Sequence, residues 1–234
     1  MLGPIIADIS RMKYPQGRQG LSAEGILSIA VSDWLLNGNL ESKDNLKEFL
    51  SEWKHKYVPD PGPYSYTNDN PILAAVPIGL WASDIGQARD TARFVATAVY
   101  PTKMRIDGTE AVAAAVFMAD RGADKREIRH YIEREFNCHL SGNDQHVDDD
   151  RLSRGRLAVE PAMHLFLHGK SFRQTLKTAI AENESDLVTS IACALAEAYH
   201  GIPFLTRRKA LRNLPEDIRT AVIGIRDHRK LRMT

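Results

Sequence analysis

Two carboxylates, Glu184 and Asp186, stand two residues apart just before an apolar run that ends near His200. Ser185 between them is a good N-cap residue, because its hydroxyl can accept a hydrogen bond from an amide one turn further on. Acids in a first helical turn are also favoured by the helix dipole. The segment predicts carboxylates at the start of a buried helix, where they act either as metal ligands or only as helix caps.

A second acidic helix start lies near the N-terminus of the chain. Ser22 and Glu24 precede a run that is apolar almost all round and stops at Asn37-Gly38, as expected of a central buried helix. Two buried helices that begin in such clusters can bring oxygen ligands to one point. Proteins hold a hard cation such as magnesium in this way.

Segments outside these clusters carry a resemblance to a known family. They are the opening MLGPIIAD, the run IACALAEAYHGIP that ends at Pro203, and the stretches 108–117 and 127–136. With SAEG at Ser22 and ESDL at Glu184, they resemble the ADP-ribosylglycohydrolase family, which includes the dinitrogenase reductase-activating glycohydrolases. The resemblance covers nearly the whole chain. It implies two magnesium ions, which position ADP-ribose and the water that cleaves its glycosidic bond.

Both metal motifs depart from the family pattern. The family carries Thr-Asp-Asp and Asp-x-Asp-Thr, whereas Ala23 and Leu187 bring no ligand here. Each Glu in place of Asp moves its carboxylate by about an ångström, in a site that demands near-ideal geometry for magnesium. The resemblance implies at most one weak magnesium site, or none. Its ligands would be Ser22, Glu24, Glu184 and Asp186, with Glu24 or Glu184 as the general base.

Two loops of the family's site are also altered. Residues 67–71 replace the family's Gly-rich loop, and Tyr100–Met104 replaces its His-containing loop without a His. The mouth of the cleft still offers aromatic anchors and adaptable polar groups, which favour recognition of a ligand. The ligand-binding residues expected there are Tyr64, Tyr66, Asn68, Asp69 and Asn70.

Two functions follow from the resemblance. The first is a binding protein, a pseudoenzyme that keeps the scaffold and acts by occlusion. Its partner would be an ADP-ribosylated protein, an ADP-ribose-like nucleotide or an ADP-ribosyltransferase toxin that it neutralises as an immunity protein. The alternative is an active magnesium-dependent hydrolase that removes ADP-ribose from modified side chains or nucleic acid. Simultaneous changes in four parts of one site favour the binding protein.

Helical patterns position these clusters, and no alternating strand pattern stands between them. We predict an all-α, compact single domain over residues 1–234, with nine to eleven helices. A polar loop over 137–156 precedes a helix with Pro161 in its first turn, and Pro77 breaks or kinks a shorter one. Four capping boxes, each an acid or Ser with Glu or Gln three residues on, begin at Asp84, Asp107, Asp124 and Ser171.

Composition limits the partners. The chain has 234 residues, 43% of them hydrophobic, and a net charge of +1, which gives no reason to expect a membrane or nucleic-acid partner. A cytoplasmic protein is expected, with no signal peptide and no disulfide between its two cysteines. From residue 205 to 234, the chain has nine basic residues and three acidic ones. We interpret them as cations near helix C-termini followed by a frayed basic tail over 226–234, the alternative being a surface that attracts phosphates or an acidic partner.

Overall fold

The computed structural model of the protein describes residues 1–11, 21–38, 42–57, 70–140, 154–212 and 214–232. These ranges form α-helices and one 3₁₀ helix, Pro71–Ala74, without any strand, which confirms the all-α prediction. The α-helices are α1 (Leu2–Arg11), α2 (Ala23–Leu36), α3 (Lys43–Tyr57), α4 (Ala75–Trp81), α5 (Ile85–Val99), α6 (Lys103–Asp120), α7 (Lys125–Phe136), α8 (Arg154–His168), α9 (Phe172–Ala181), α10 (Asp186–His200), α11 (Phe204–Arg212) and α12 (Glu216–Arg232).

Three helices, α2, α6 and α10, are buried over most of their length and form the centre of the fold. Helix α10 packs against α1, α6, α8 and α9, while α6 also packs against α4 and α5. Helix α2 packs against the 3₁₀ helix, α3 and α12. The two helices that begin in acidic clusters, α2 and α10, are therefore both central, as the sequence predicts. No helix in the described ranges is long and apolar enough to cross a membrane.

Helix α1 lies directly against α10. It is not among the nine to eleven helices predicted from the sequence. Its first turn holds Gly3 and Pro4, which are poor helix indicators, although Pro is tolerated where no amide donor is needed. A Cβ at Gly3 would lie 2.4 Å from the Cys193 carbonyl oxygen, so the close approach requires glycine. Glu197 of α10 accepts hydrogen bonds from the backbone nitrogens of Met1, Leu2 and Gly3 at 2.6, 3.1 and 2.6 Å.

The predicted capping boxes have different outcomes. The box of Asp124 with Glu127 is confirmed, since both side chains accept the expected backbone donors. Asp84 and Ser171 cap their helices as predicted. In each case, however, the side chain of the glutamine three residues on accepts from the backbone N–H of the residue before the cap, and not from that of the cap residue. The box starting at Asp107 is wrong, because α6 begins four residues earlier. Glu110 is instead buried and accepts from Arg93 of α5 at 2.7 and 2.9 Å.

Three further predictions about helix bounds are corrected. Helix α8 begins at Arg154, so Pro161 stands inside it rather than in its first turn. Pro77 is the third residue of α4, and the segment changes from 3₁₀ to α geometry at Ala75, so the division lies two residues before Pro77 and not at it. Helix α12 continues to Arg232, so the described part of 226–234 is helix rather than a frayed tail.

Both cysteines are free and buried. Cys138 lies just after α7, and Cys193 lies in the middle of α10. Burial, together with the negative charge of Glu197, raises the pKa of Cys193 to about 12. The Cys193 thiol is therefore a packing group and not a nucleophile at neutral pH.

Candidate ligand site at the junction of three helices

The start of α2 is built by a serine cap. Ser22 has an extended backbone, and its Oγ accepts a hydrogen bond from the Gly25 N–H at 3.0 Å. This cap satisfies one of the amides that a helix start leaves without an intrahelical partner. Glu24 follows in the first turn and is half-buried. The cap fixes the backbone at the start of α2, and it thereby positions the Ser22 hydroxyl and the Glu24 side chain.

The start of α10 is placed by the end of α9. Asn183 adopts a left-handed conformation with φ of 55°, which asparagine tolerates better than most residues. The Glu184 N–H then donates to the Ala179 carbonyl at 3.1 Å, which closes the end of α9. Ser185 caps α10 by accepting from the Val188 N–H at 3.2 Å. Glu184 is left half-buried in the connecting turn.

Asp8 of α1 joins these two helix starts. Its Oδ2 accepts hydrogen bonds from the Ser22 backbone N–H at 3.0 Å and from Ser22 Oγ at 2.7 Å. Its Oδ1 accepts from Ser190 Oγ, one turn into α10, at 3.2 Å. The Asp8 side chain is buried, with 2% of the residue exposed. We call Asp8, Ser22 and Ser190 the Asp8 junction, since the carboxylate connects α1, α2 and α10.

The surroundings of Asp8 are tight and electrostatically unfavourable to its charge. A Cβ at Gly25 would lie 2.6 Å from Asp8 Oδ2, so only glycine leaves room for the carboxylate. Burial raises the pKa of Asp8 above its ordinary value, and the hydrogen bonds from Ser22 and Ser190 oppose that rise. The negative charge of Asp186 raises the pKa further. Asp186, exposed in the first turn of α10, stands four residues before Ser190, which donates to Asp8.

The two magnesium ions implied by the resemblance need several available oxygen ligands in near-octahedral geometry. Both oxygens of Asp8 already accept hydrogen bonds. The Ser22 hydroxyl donates a hydrogen bond to Asp8 and accepts one from the Gly25 N–H. Within the part of the chain that the structure describes, no three His, Cys, Asp or Glu side chains are arranged to hold a metal ion. Among the described residues, the oxygens of Asp8 and Ser22 are therefore engaged in hydrogen bonds within the protein.

The remaining predicted site residues are placed as follows. Asn70 caps the 3₁₀ helix, because its Oδ1 accepts from the Ile72 N–H at 3.2 Å. The other ligand-binding residues predicted at the cleft mouth lie outside the described residues: Tyr64, Tyr66, Asn68 and Asp69. Of the four predicted metal ligands, Ser22 bonds to Asp8 directly, and Asp186 acts on it through its charge. Glu24 and Glu184 lie in the same two helix starts.

Sequence reasoning missed the role of Asp8. The residue closes the apolar opening MLGPIIAD, which carried part of the resemblance but received no chemical role. A carboxylate that follows an apolar run is a signal of a buried, hydrogen-bonded acid. Its partners are 14 and 182 residues away in sequence, so local spacing could not have named them.

Comparisons with known proteins agree with this geometry at the level of the fold. The sequence profile of the ADP-ribosylglycohydrolase family matches residues 15–230. A solved structure described as an ADP-ribosylglycohydrolase-related protein complex is similar with a TM-score of 0.70 at 18% sequence identity. That similarity covers 97% of this chain and 95% of the other. No curated protein sequence matches the chain.

Proposed function

Because the chain belongs to the ADP-ribosylglycohydrolase family, we propose that it is a non-catalytic binding protein built on that family's scaffold. In this proposal it binds an ADP-ribosylated protein, an ADP-ribose-like nucleotide or an ADP-ribosyltransferase without turnover. Occlusion of such a partner would neutralise it, as an immunity protein neutralises a toxin. The proposal makes the protein a pseudoenzyme, with at most one weak magnesium site.

One observation carries the proposal: oxygens at the point where α1, α2 and α10 meet are already used by the protein itself. Asp8 accepts from Ser22 and Ser190, and Ser22 also accepts from the backbone of α2. Side chains engaged in this way stabilise the packing of helices and are less available to a cation. The neighbouring positions Ala23 and Leu187 have no oxygen in their side chains, and Leu187 packs against the core.

Loss of catalysis follows from the demands of transition-state stabilisation. Catalysis of glycosidic cleavage needs donors and charges that are preorganised for the transition state. Misplacing one catalytic group by an ångström can reduce the rate about a hundredfold. The departures at Ala23, at Leu187 and in two loops accumulate in one site. Recognition of a ligand does not require this preorganisation, because a few anchor residues carry most of the binding energy.

The alternative, a magnesium-dependent hydrolase, is favoured by one specific feature. Asp186 stands one turn before Ser190, which donates to Asp8, so acids of α1 and α10 lie in the same region. Paired acids of this kind occur in catalytic sites. In this alternative, Ser22, Glu24, Glu184 and Asp186 hold one ion, which would polarise the substrate and activate water when bound.

The experiment that separates the two functions measures turnover and binding on the same protein. The purified chain is incubated with arginine-, serine- and nucleic-acid-linked ADP-ribose at millimolar magnesium or manganese, and free ADP-ribose is quantified. We expect no release above background. Binding of ADP-ribose and of an ADP-ribosylated protein is measured by calorimetry in parallel, and saturable binding of either one is expected unless the partner is the transferase.

The matched controls are Asp186→Ala and Glu182→Ala. Both remove one exposed acid from the same segment, but Glu182 is the C-cap residue after α9 and is not a predicted ligand. Release of ADP-ribose that Asp186→Ala abolishes and Glu182→Ala leaves intact would contradict the proposal in favour of the hydrolase. If the wild type is inert, the double variant Ala23→Asp with Leu187→Thr is expected to restore little activity, because the two altered loops remain.

A further inference from the structure

The basic end of the chain forms a hollow of about 450 Å³ between α11 and α12. Its wall carries five arginines: Arg207, Arg208, Arg212, Arg219 and Arg226. The volume is within the range of small-molecule sites, roughly 300–1,000 Å³. Five arginines around one concave surface are more than cations near helix C-termini and a frayed tail would produce.

Helix dipoles explain only part of this arginine cluster. Arg212 lies in the last turn of α11, where a cation is favoured. Arg207 and Arg208 are the fourth and fifth of nine residues in α11. Arg219 is the fourth residue of α12, near the helix end that disfavours a cation. The helix dipoles therefore do not explain the positions of most of these arginines.

Two carboxylates near the hollow bond to other parts of the chain. Asp217 accepts from Lys56 and Tyr57 of α3, and Glu197 accepts from the backbone at the start of α1. Asp227 accepts from Arg226 at 3.2 Å. Among the described residues, no carboxylate lies within ion-pair distance of the other four arginines of the hollow. Arginine side chains that have no acid partner are suited to binding phosphates, often in bidentate fashion.

An aromatic side chain stands beside these charges. Phe204, the first residue of α11, lines the hollow and is 63% exposed, which is unusual for a large apolar residue. An exposed aromatic face next to phosphate-binding arginines can stack a nucleobase. Leu211 adds a second apolar contact in the wall. The combination matches a ligand that has both phosphates and an aromatic ring.

We propose that the hollow between α11 and α12 binds a nucleoside diphosphate or triphosphate, with its phosphates on the arginines and its base on Phe204. This site is separate from the Asp8 junction. The hollow adjoins a small cavity at the Glu197 end of α10, whereas Asp186 begins that helix, about 16 Å away along its axis. The proposal does not depend on the proposed function, and either one can fail without the other.

Calorimetry of the full chain with ADP, pyrophosphate and adenosine tests this site. ADP is expected to bind one-to-one, more weakly as salt is raised, and more tightly than either fragment. The double variant Arg208→Gln with Arg219→Gln is expected to weaken ADP binding about tenfold to a hundredfold. Arg173→Gln with Lys177→Gln removes the same charge from the exposed face of α9 and is expected to change the affinity less than twofold. Phe204→Ala is expected to weaken ADP but not pyrophosphate.

Several results would overturn the assignment. They are no binding of millimolar ADP, equal loss in both double variants, adenosine binding as tight as ADP, or loss of ADP binding on Asp186→Ala, which would place ADP in the other site. If Phe204→Ala changed the affinities for ADP and pyrophosphate equally, the assignment of the base to Phe204 would be wrong. Tight binding of a single-stranded oligonucleotide that ADP does not displace would identify nucleic acid as the ligand instead. Circular dichroism of each variant ensures that a lost affinity is not a lost fold.

Discussion

Replacing Asp8 by alanine and by asparagine separates its hydrogen bonds from its charge. Alanine removes the acceptor of three hydrogen bonds, two from Ser22 and one from Ser190. Asparagine can keep an oxygen toward both Ser22 donors and turn its amide nitrogen toward Ser190, whose hydroxyl can also accept. The two variants therefore differ in whether the junction of α1, α2 and α10 remains connected.

The expected magnitude follows from the burial of each donor. A hydrogen bond to a charged acceptor contributes about 1.5–3 kcal/mol, and leaving a buried partner unsatisfied costs about 1–3 kcal/mol. Ser190 is 1% exposed and would lose its partner without access to water, whereas Ser22 is half-buried and can be partly hydrated. We therefore expect Asp8→Ala to lower the free energy of unfolding by about 3–4 kcal/mol, and Asp8→Asn by about 1 kcal/mol or less.

Urea unfolding followed by circular dichroism measures both values, provided that the m-value is unchanged. Glu52→Ala, which removes an exposed acid from α3, is the control and is expected to change little. Equal destabilisation by Asp8→Ala and Asp8→Asn would show that the charge and not the hydrogen bonds matters. An effect of Asp8→Ala as small as that of the control would refute the reasoning altogether.

Gly25 provides an internal check on the same junction. An added Cβ would lie 2.6 Å from Asp8 Oδ2 and 3.1 Å from Ser22 Oγ, so Gly25→Ala alone should destabilise the wild type by about 1–3 kcal/mol. In the Asp8→Ala background the nearer obstruction is gone, and alanine gains about 0.5–1 kcal/mol over glycine within a helix. A double-mutant cycle without coupling between the two positions would contradict the described contact.

Other parts of the fold give three further predictions. Glu110→Gln should lower stability by about 2 kcal/mol in urea unfolding, because it leaves Arg93 without its buried carboxylate partner. Lys125→Met should destabilise by about 1–3 kcal/mol and speed amide hydrogen exchange near the end of α8, whose last carbonyls accept from the Lys125 ammonium. Burial alone would raise the pKa of Asp217, but hydrogen bonds led by that from Lys56 lower it below 3.8. The stabilisation from Asp217 is present above that unfolded value and is lost as pH falls through the folded pKa, so the deficit of Asp217→Asn should shrink in acid unfolding curves.

Helix starts could be predicted from the sequence because capping is local. Ser22, Ser185 and Asp124 each accept from an amide within one turn, so a short stretch of sequence contains both the cap and the start of its helix. The same rule failed at Asp107, where the spacing of a capping box occurs inside a helix. Glu110 is satisfied by Arg93 of another helix, which no local pattern reveals.

The Asp8 junction and the arginine hollow depend on contacts between distant segments. Asp8 is an ordinary polar residue in the sequence until α1 is laid against α10, and the approach of these helices depends on Gly3. The sequence of the basic end is typical of a polar tail, whereas in the structure α12 continues to Arg232 and lines a hollow together with α11. Predicting either feature requires the packing of helices and not only their existence.

The Asp8 junction offers a physical reason why the scaffold can persist while the metal motifs change. When carboxylates from different helices converge on cations, the cations offset their mutual repulsion, and loss of ligands weakens the whole centre. Here the hydroxyls of Ser22 and Ser190 supply donors to the buried carboxylate of Asp8, and Asp186 remains exposed to water. Direct hydrogen bonds thus hold α1, α2 and α10 together without requiring a bound ion. In the proposed binding function, side chains without oxygen ligands at Ala23 and Leu187 then carry little cost in stability.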